Sequence, residues 1–319
     1  MPAQPKVARV KPPALRKGDT VGIVAPASSF KRDEFDAGCQ ALRQMGYNPV
    51  YNESIFERDL YFAGTTERRA REIEAMFLRD DVSAIVCARG GYGSNYLLPM
   101  LNVKKLAAKP KIFVGYSDLT SLLTYFLDTA GLVTFHGPMV AKDFAKMDGV
   151  DLESWQNALS GVENWQLAFG SGSGVNALAQ GKGSAEGVLY GGCLSMLVAS
   201  LGTPYEIQTE GTILFIEDVA TKPYQIDRML MHLKLAGKFA GVRGIIFGEM
   251  LDSIQTQNQG YTLEEVVMRV VGDLGVPVAY GLRSGHVSRE NITLPLGVRA
   301  ALNVGSAGVT LDILEPATL

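Results

Sequence analysis

Ser117 sits where an apolar run meets the start of an apolar helical pattern, in Val114-Gly-Tyr-Ser-Asp-Leu119. A tight strand-to-helix turn lifts a serine hydroxyl above a sheet and leaves the next amide, that of Asp118, oriented at a helix N-terminus. An exposed hydroxyl beside an oriented N–H is what acyl transfer asks of a nucleophile. The plainer use stays open, because Ser117 or Asp118 can cap the helix starting at Leu119, and the turn lacks the second glycine of G-x-S-x-G. A second turn, Arg89-Gly-Gly-Tyr-Gly93, has backbone without side chains, so Gly90 or Gly91 could supply a further N–H to an oxyanion. A G-x-G-x-x-G pattern also begins at Gly91. Its last position is Tyr96 and it follows the third strand pattern rather than the first, which speaks against a dinucleotide. A purely structural tight turn is the remaining reading.

A serine hydroxyl needs a base to take its proton, and histidine is the usual one near neutral pH. The chain has three histidines. His232 lies on an amphipathic helical pattern, where a half-exposed packing role is expected. His136 ends an apolar run before Gly137-Pro138, and His286 lies in a glycine-flanked turn, Leu282-Arg-Ser-Gly-His-Val-Ser288. Both remain open as the base, and the turn, which can aim an imidazole outward from a rigid frame, favours His286. A base in turn needs an acid to fix its tautomer. Glu217 directly follows the apolar run Ile213–Ile216, where a paired acid is more expected than a solvated one, while Asp218 suits a turn cap. No H-E-x-x-H, close histidine pair or cysteine cluster suggests a metal.

These residues must be held by a frame. Apolar runs at 20–25, 84–87, 111–114 and 132–135 alternate with helical patterns at about 35–45, 66–77 and 119–130, which predicts a mostly parallel sheet with helices on both faces. In the second of those helices, arginines and glutamates are expected on the solvent side. The resulting fold class is α/β, with a Rossmann-like or flavodoxin-like N-terminal domain over 1–145. From about Lys142 to Gly183 the texture is aperiodic, and its glycine- and serine-rich end suggests a linker or flap over 146–183. Helical patterns at 194–201, 224–236 and 263–274 and strands at 212–216 and 244–247 follow, then short strands separated by glycines. They predict a strand-rich α+β domain over 184–319.

With 47% hydrophobic and 20% charged residues the chain has an ordinary globular composition, and a net charge of −3 gives no reason to expect a nucleic acid. Cys39, Cys87 and Cys193 are scattered and odd in number, so no disulfide framework is implied, and Cys39 and Cys87 are read as core. No signal-peptide pattern or membrane-length apolar run appears, so no membrane association and a cytoplasmic setting are expected.

Several segments in order resemble the LD-carboxypeptidases, or muramoyltetrapeptide carboxypeptidases, a family that also includes microcin C immunity peptidases. They are Gly18-Asp-Thr-Val-Gly-Ile-Val-Ala-Pro-Ala-Ser28, Ala88-Arg-Gly-Gly-Tyr-Gly93, Val114-Gly-Tyr-Ser-Asp-Leu-Thr120 and His136-Gly-Pro138, followed by Glu186-Gly-Val-Leu-Tyr-Gly-Gly-Cys-Leu-Ser195, Phe215-Ile-Glu-Asp218 and Gly281 to His286. The resemblance spans nearly the whole chain. It implies Ser117 as nucleophile, His286 as general base and acid, Glu217 as its partner, and amides near Gly91 and Asp118 as oxyanion hole. It also implies a first domain without nucleotide, no cofactor, a homodimer, a site in an interdomain cleft, and a small peptide substrate, a murein tetrapeptide losing its terminal D-alanine. Cys193 departs from the asparagine more common there. Arg89, with Gly90, and Arg283 and Arg289 are candidates for holding the substrate's terminal carboxylate.

Three other readings are set against this one. A microcin-type immunity peptidase would want an aromatic clamp for a nucleobase, for which the predicted flap offers Trp165 and Phe169. A non-catalytic binding protein with a two-domain cleft would use none of the triad, and a nucleotide-dependent oxidoreductase would need the glycine turn for phosphate.

Overall fold

The computed structural model describes residues 7–169, 176–177, 182–253, 260–306 and 308–319. It divides into two compact units: residues 1–162 with 293–297 and 317–319, and residues 163–292 with 298–316.

In the first unit, strands β1 (Thr20–Val24), β2 (Asn48–Val50), β3 (Val82–Cys87), β4 (Ile112–Gly115) and β5 (Thr134–His136) alternate with helices α1 (Arg32–Gln44), α2 (Thr66–Leu78), α3 (Val103–Ala107) and α4 (Thr120–Ala130), and α5 (Leu152–Leu159) follows β5. The strands pair in parallel in the order β5-β4-β3-β1-β2, the flavodoxin-like arrangement, so the expected fold class is met. β3 and β4 are almost wholly buried, as strands covered on both faces must be. The order reverses between β1 and β3, and the loops leaving β1, β3 and β4 emerge on one sheet edge.

The second unit contains β6 (Trp165–Phe169), β7 (Asn176–Ala177), β8 (Gly183–Cys193), α6 (Leu194–Ala199), β9 (Thr212–Glu217), α7 (Pro223–Leu235), β10 (Gly244–Gly248), α8 (Leu263–Val271) and β11 (Val278–Leu282). After β12 (Leu294–Leu296), which pairs antiparallel with β5 in the first unit's sheet, come β13 (Arg299–Gly305) and β14 (Gly308–Ile313). The eight-stranded sheet runs β6-β14-β13-β8-β9-β10-β11-β7. Its centre, β8 to β11, is parallel, and β9 and β10 are buried throughout; β13 and β14 alternate buried and less buried residues, as antiparallel strands with one covered face do.

Three expectations need correction. The aperiodic stretch holds α5 and β6, and Trp165 and Phe169 are buried in β6, which pairs with β14, rather than carried on a flap. Most of the glycine- and serine-rich run lies outside the described residues. His232 is exposed on α7 rather than half-exposed. The charged side of α2 is not solvated: Arg68, Arg69 and Glu72 are all buried. The reason is that loop ends leave buried carbonyls and amides that need partners. Arg69 Nη1 donates to the carbonyls of Pro26 (2.5 Å) and Gly93 (2.8 Å), tying the loops after β1 and β3 together. Arg68 pairs with Glu72 at 2.9 Å and donates to Ala63 O, while the Ala25 amide donates to Glu72 at 2.8 Å. Burial pushes the Glu72 carboxyl above its ordinary value even with Arg68 beside it.

Cys39 and Cys87 are core residues, as expected, and burial raises the Cys39 thiol to about 11. Among the described residues, no helix is long and apolar enough to cross a membrane and no three His, Cys, Asp or Glu residues gather as a metal set. Replacing Arg68 by methionine strands the buried Glu72 charge, so Arg68→Met is expected to lower unfolding free energy by about 3–5 kcal/mol, read from urea titrations. A change within error would show that the pair contributes nothing net.

Candidate active site

Ser117 opens a one-turn 3-10 helix, Ser117–Leu119, that leads directly into α4. Its φ of +64 is a left-handed value that serine adopts at a cost of about 1–3 kcal/mol. Tyr116 before it is extended, with φ −153 and ψ −170, so the chain turns sharply between these two residues. Strain at the tip of such a turn is the signature of a nucleophile elbow. Ser117 is half-buried, and the cap reading fails on geometry because no side-chain bond caps either the 3-10 turn or α4.

The neighbouring turn is built against this one. A Cβ on Gly90 would lie 2.9 Å from Ser117 Cβ and 3.2 Å from Oγ, and one on Gly91, at φ +103, would lie 2.4 Å from Ser28 Oγ. Side chains are excluded at both positions, which keeps backbone next to the serine. Asp118 is buried and works through its side chain: the Ser94 amide donates to its carboxylate at 2.8 Å, and the Ser94 hydroxyl donates to its carbonyl at 2.6 Å. Burial raises the Asp118 carboxyl, with the Ser94 and Gly93 bonds opposing. The first amides of a helical turn lack an intrahelical acceptor, which leaves the Asp118 N–H suited to an oxyanion. After Gly93 comes only a 3-10 turn, Ser94–Leu97, rather than a long helix whose N-terminus would suit a nucleotide phosphate. Arg89 is half-buried and makes no ion pair among the described residues, whereas Arg283 is paired with Glu290 at 3.1 Å.

In the second unit, Glu217 is the last residue of β9 and only 1% exposed. His286 follows β11, and its Nδ1 lies 2.8 Å from Glu217 Oε2, to which the His286 amide also donates at 3.1 Å. A carboxylate facing Nδ1 fixes the tautomer with the proton there, so Nε2 is the nitrogen suited to accept one. Glycines make room for the acid. A Cβ on Gly248 would lie 2.7 Å from Glu217 Cβ, and one on Gly285, at φ +99, would lie 2.6 Å from the carboxyl carbon. Asn291, fully buried, accepts from the Gly285 amide at 2.9 Å and donates to the Gly285 carbonyl at 3.1 Å, locking the turn that carries His286. Sequence reading missed Asn291, and its only signal was an amide residue close after a glycine-rich turn.

His136, the competing base, is fully buried on β5, 5.9 Å from the Tyr116 ring. Asp218 takes the expected capping role, accepting from the Val219 amide, the Thr221 hydroxyl and the Ser195 amide at the start of α6. Cys193 stands opposite Glu217 in the β8–β9 register, and burial holds its thiol well above the ordinary value. Thus Glu217 and His286 meet in the second unit, and Ser117, Asp118, Gly90, Gly91 and Arg89 belong to the first. Gly285→Ala drives a methyl into the Glu217 carboxylate, and a small displacement of a catalytic group costs on the order of 10²-fold in rate. Labelling of Ser117 by a fluorophosphonate is expected to slow by about that factor while the thermal transition stays cooperative. Unchanged labelling would detach the pair from the serine.

Residues 21–137 match the LD-carboxypeptidase N-terminal domain, and residues 186–302 match the LD-carboxypeptidase C-terminal domain. The chain is 36% identical over 304 residues to the Bacillus subtilis protein named "Probable murein peptide carboxypeptidase", covering 95% of this chain and 94% of the relative. It is 30% identical over 327 residues to the microcin C7 self-immunity protein MccF of Escherichia coli, covering 93% and 94%. The structure of muramoyltetrapeptide carboxypeptidase from Oxalobacter formigenes superposes with a TM-score of 0.83 at 29% identity, covering 93% of this chain and 99% of that one. With both domain models matched in order and full-length relatives at this identity, the chain belongs to the LD-carboxypeptidase family of serine peptidases.

Proposed function

We propose that this protein hydrolyses the L,D-peptide bond that holds the terminal D-alanine of a murein tetrapeptide, with Ser117, His286 and Glu217 as its catalytic triad. The observation that carries the reading is the buried carboxylate of Glu217 on His286 Nδ1 at 2.8 Å, an arrangement with a plain use as an oriented base. In the proposed reaction His286 Nε2 takes the Ser117 proton as Oγ attacks the scissile carbonyl. The amides of Gly91 and Asp118 stabilise the oxyanion that forms. Collapse breaks the C–N bond, and the imidazolium gives its proton to the departing amine of D-alanine. Water, activated by the same imidazole, then releases the acyl chain and restores the serine. Arg89, next to Gly90, is the proposed partner of the substrate's terminal carboxylate, since it has no ion pair among the described residues. A cytoplasmic homodimer belongs to the same proposal, supported by the family resemblance and by three unpaired buried cysteines.

A microcin-type immunity peptidase is the second reading, favoured by the 30% identity to MccF. The aromatic residues expected to clamp a base, Trp165 and Phe169, are buried in β6, which weighs against it. Mass spectrometry of a murein tetrapeptide incubated with the protein is expected to show loss of one D-alanine. Ser117→Ala should abolish it, with a rate loss on the order of 10⁶. Turnover of an aminoacyl-sulfamoyl adenosine in place of the tetrapeptide would select the second reading.

A further inference from the structure

An exposed aromatic cluster in the first unit borders the Ser117 turn and has no part in the proposed chemistry. Tyr61, Tyr92 and Tyr96 are 55%, 44% and 49% exposed, around a Phe62 that is only 8% exposed. Ring centroids lie 4.4 Å apart for Tyr61 and Phe62, 5.5 Å for Phe62 and Tyr96, and 6.0 Å for Tyr61 and Tyr92. Three large rings half in water cost solvation that a folded chain ordinarily avoids by dispersing such residues.

The cluster is held rigidly. The buried Arg69 guanidinium stacks on Phe62 at 4.7 Å from below. Asp59 and Phe62 exchange both backbone hydrogen bonds, making a two-residue turn whose tip is Leu60, at φ +53 and 82% exposed, and Tyr61. The chain therefore accepts a strained apolar residue in order to hold this tip outward. It is also tied to the nucleophile turn. The Ser29 amide donates to Tyr61 O, the Tyr92 amide donates to Ser28 Oγ, and the Ser28 amide donates to the carbonyl of Gly90, whose Cβ position lies 3.2 Å from Ser117 Oγ.

We infer that Tyr61, Tyr92 and Tyr96 form a subsite for a sugar ring, which receives the amino-sugar end of a muramoyl-peptide substrate while Ser117 acts on its peptide. The inference rests on the carboxypeptidase reading and adds a substrate class to it. Aromatic faces bind the C–H faces of pyranose rings, and tyrosine adds a hydroxyl that reaches sugar hydroxyls. The ring planes meet at 41° for Tyr61 and Tyr92 and 78° for Tyr92 and Tyr96, an open corner that suits a puckered ring. A flat nucleobase would call for two parallel faces. A carboxypeptidase releases one residue on its leaving side, so the bulky remainder of the substrate lies on the acyl side and needs a surface near the nucleophile.

The test compares kcat/KM for a free L-Ala-D-Glu-diamino acid-D-Ala tetrapeptide with that for the same peptide carrying N-acetylmuramic acid. The wild-type protein is expected to favour the sugar-bearing substrate. Tyr61→Ala and Tyr96→Ala should each lower the ratio of the two kcat/KM values roughly 3- to 10-fold, mainly through KM, the size of one aromatic contact. Tyr61→Phe and Tyr96→Phe should keep most of the ratio, and thermal melts will show whether the alanine variants remain folded. A ratio that no variant moves overturns the inference while leaving the carboxypeptidase reading intact, since wild-type turnover of the free peptide tests that reading by itself. A loss confined to aminoacyl-sulfamoyl adenosine, or an equal loss on both peptides with a changed oligomeric state, overturns it too by assigning the rings to a base or to a contact between copies.

Discussion

Burying an ionised carboxylate is costly unless it has partners, and everything around Glu217 follows from that constraint. The acid ends a strand with neighbours on both sides, β8 and β10, so water cannot solvate it. It is instead solvated by the His286 ring and the His286 amide, two donors from one residue. That dual contact forces the turn after β11 to run close beneath the carboxylate, and the close approach is why position 285 is glycine at positive φ. Asn291 then holds the turn by bonding both polar groups of that glycine. A partnered acid, a fixed tautomer and a locked loop are thus one solution to one solvation problem.

Both units solve their positioning problem at the carboxyl ends of parallel strands. In the first, the loops after β1, β3 and β4 bring Ser28, Gly90 and Ser117 together, with Arg69 and Asp118 as cross-braces below. In the second, the ends of β9, β10 and β11 supply Glu217, Gly248 and the turn with His286. Parallel strands end on the same edge, so neighbours in space need not be neighbours in sequence, and residues from distant segments meet without long loops.

What could be read from sequence was whatever a local pattern records. Ser117 and Glu217 were legible because each terminates an apolar strand run, and a polar residue at that boundary has few structural uses. His286 was separable from His136 only by its glycine-flanked turn, a weak signal that the full burial of His136 strengthens. The burial of Arg68, Arg69 and Glu72 was not legible, because helical periodicity records hydropathy and these side chains are buried to serve loop carbonyls and amides far away in sequence. The strand β6 was hidden for a related reason: an edge strand of five residues with alternating burial leaves too short a pattern beside a glycine-rich run. β8 was obscured by five glycines and small residues, yet it borders Glu217 along its whole length.

The departure at Cys193 is tolerable for an electrostatic reason. A residue opposite Glu217 in the register could disturb the pair by adding charge or by competing for the carboxylate. A second negative charge there would repel the acid and weaken its hold on the Nδ1 proton. Burial, reinforced by Glu217 and Asp218, raises the thiol so far that it stays protonated at neutral pH and adds no charge. Such a thiol is also a poor nucleophile, because the reactive form is the thiolate. A small, neutral and weakly polar side chain therefore fills the place beside Glu217 without drawing the carboxylate from the imidazole, and the acid that keeps this cysteine inert is the same one that orients the base.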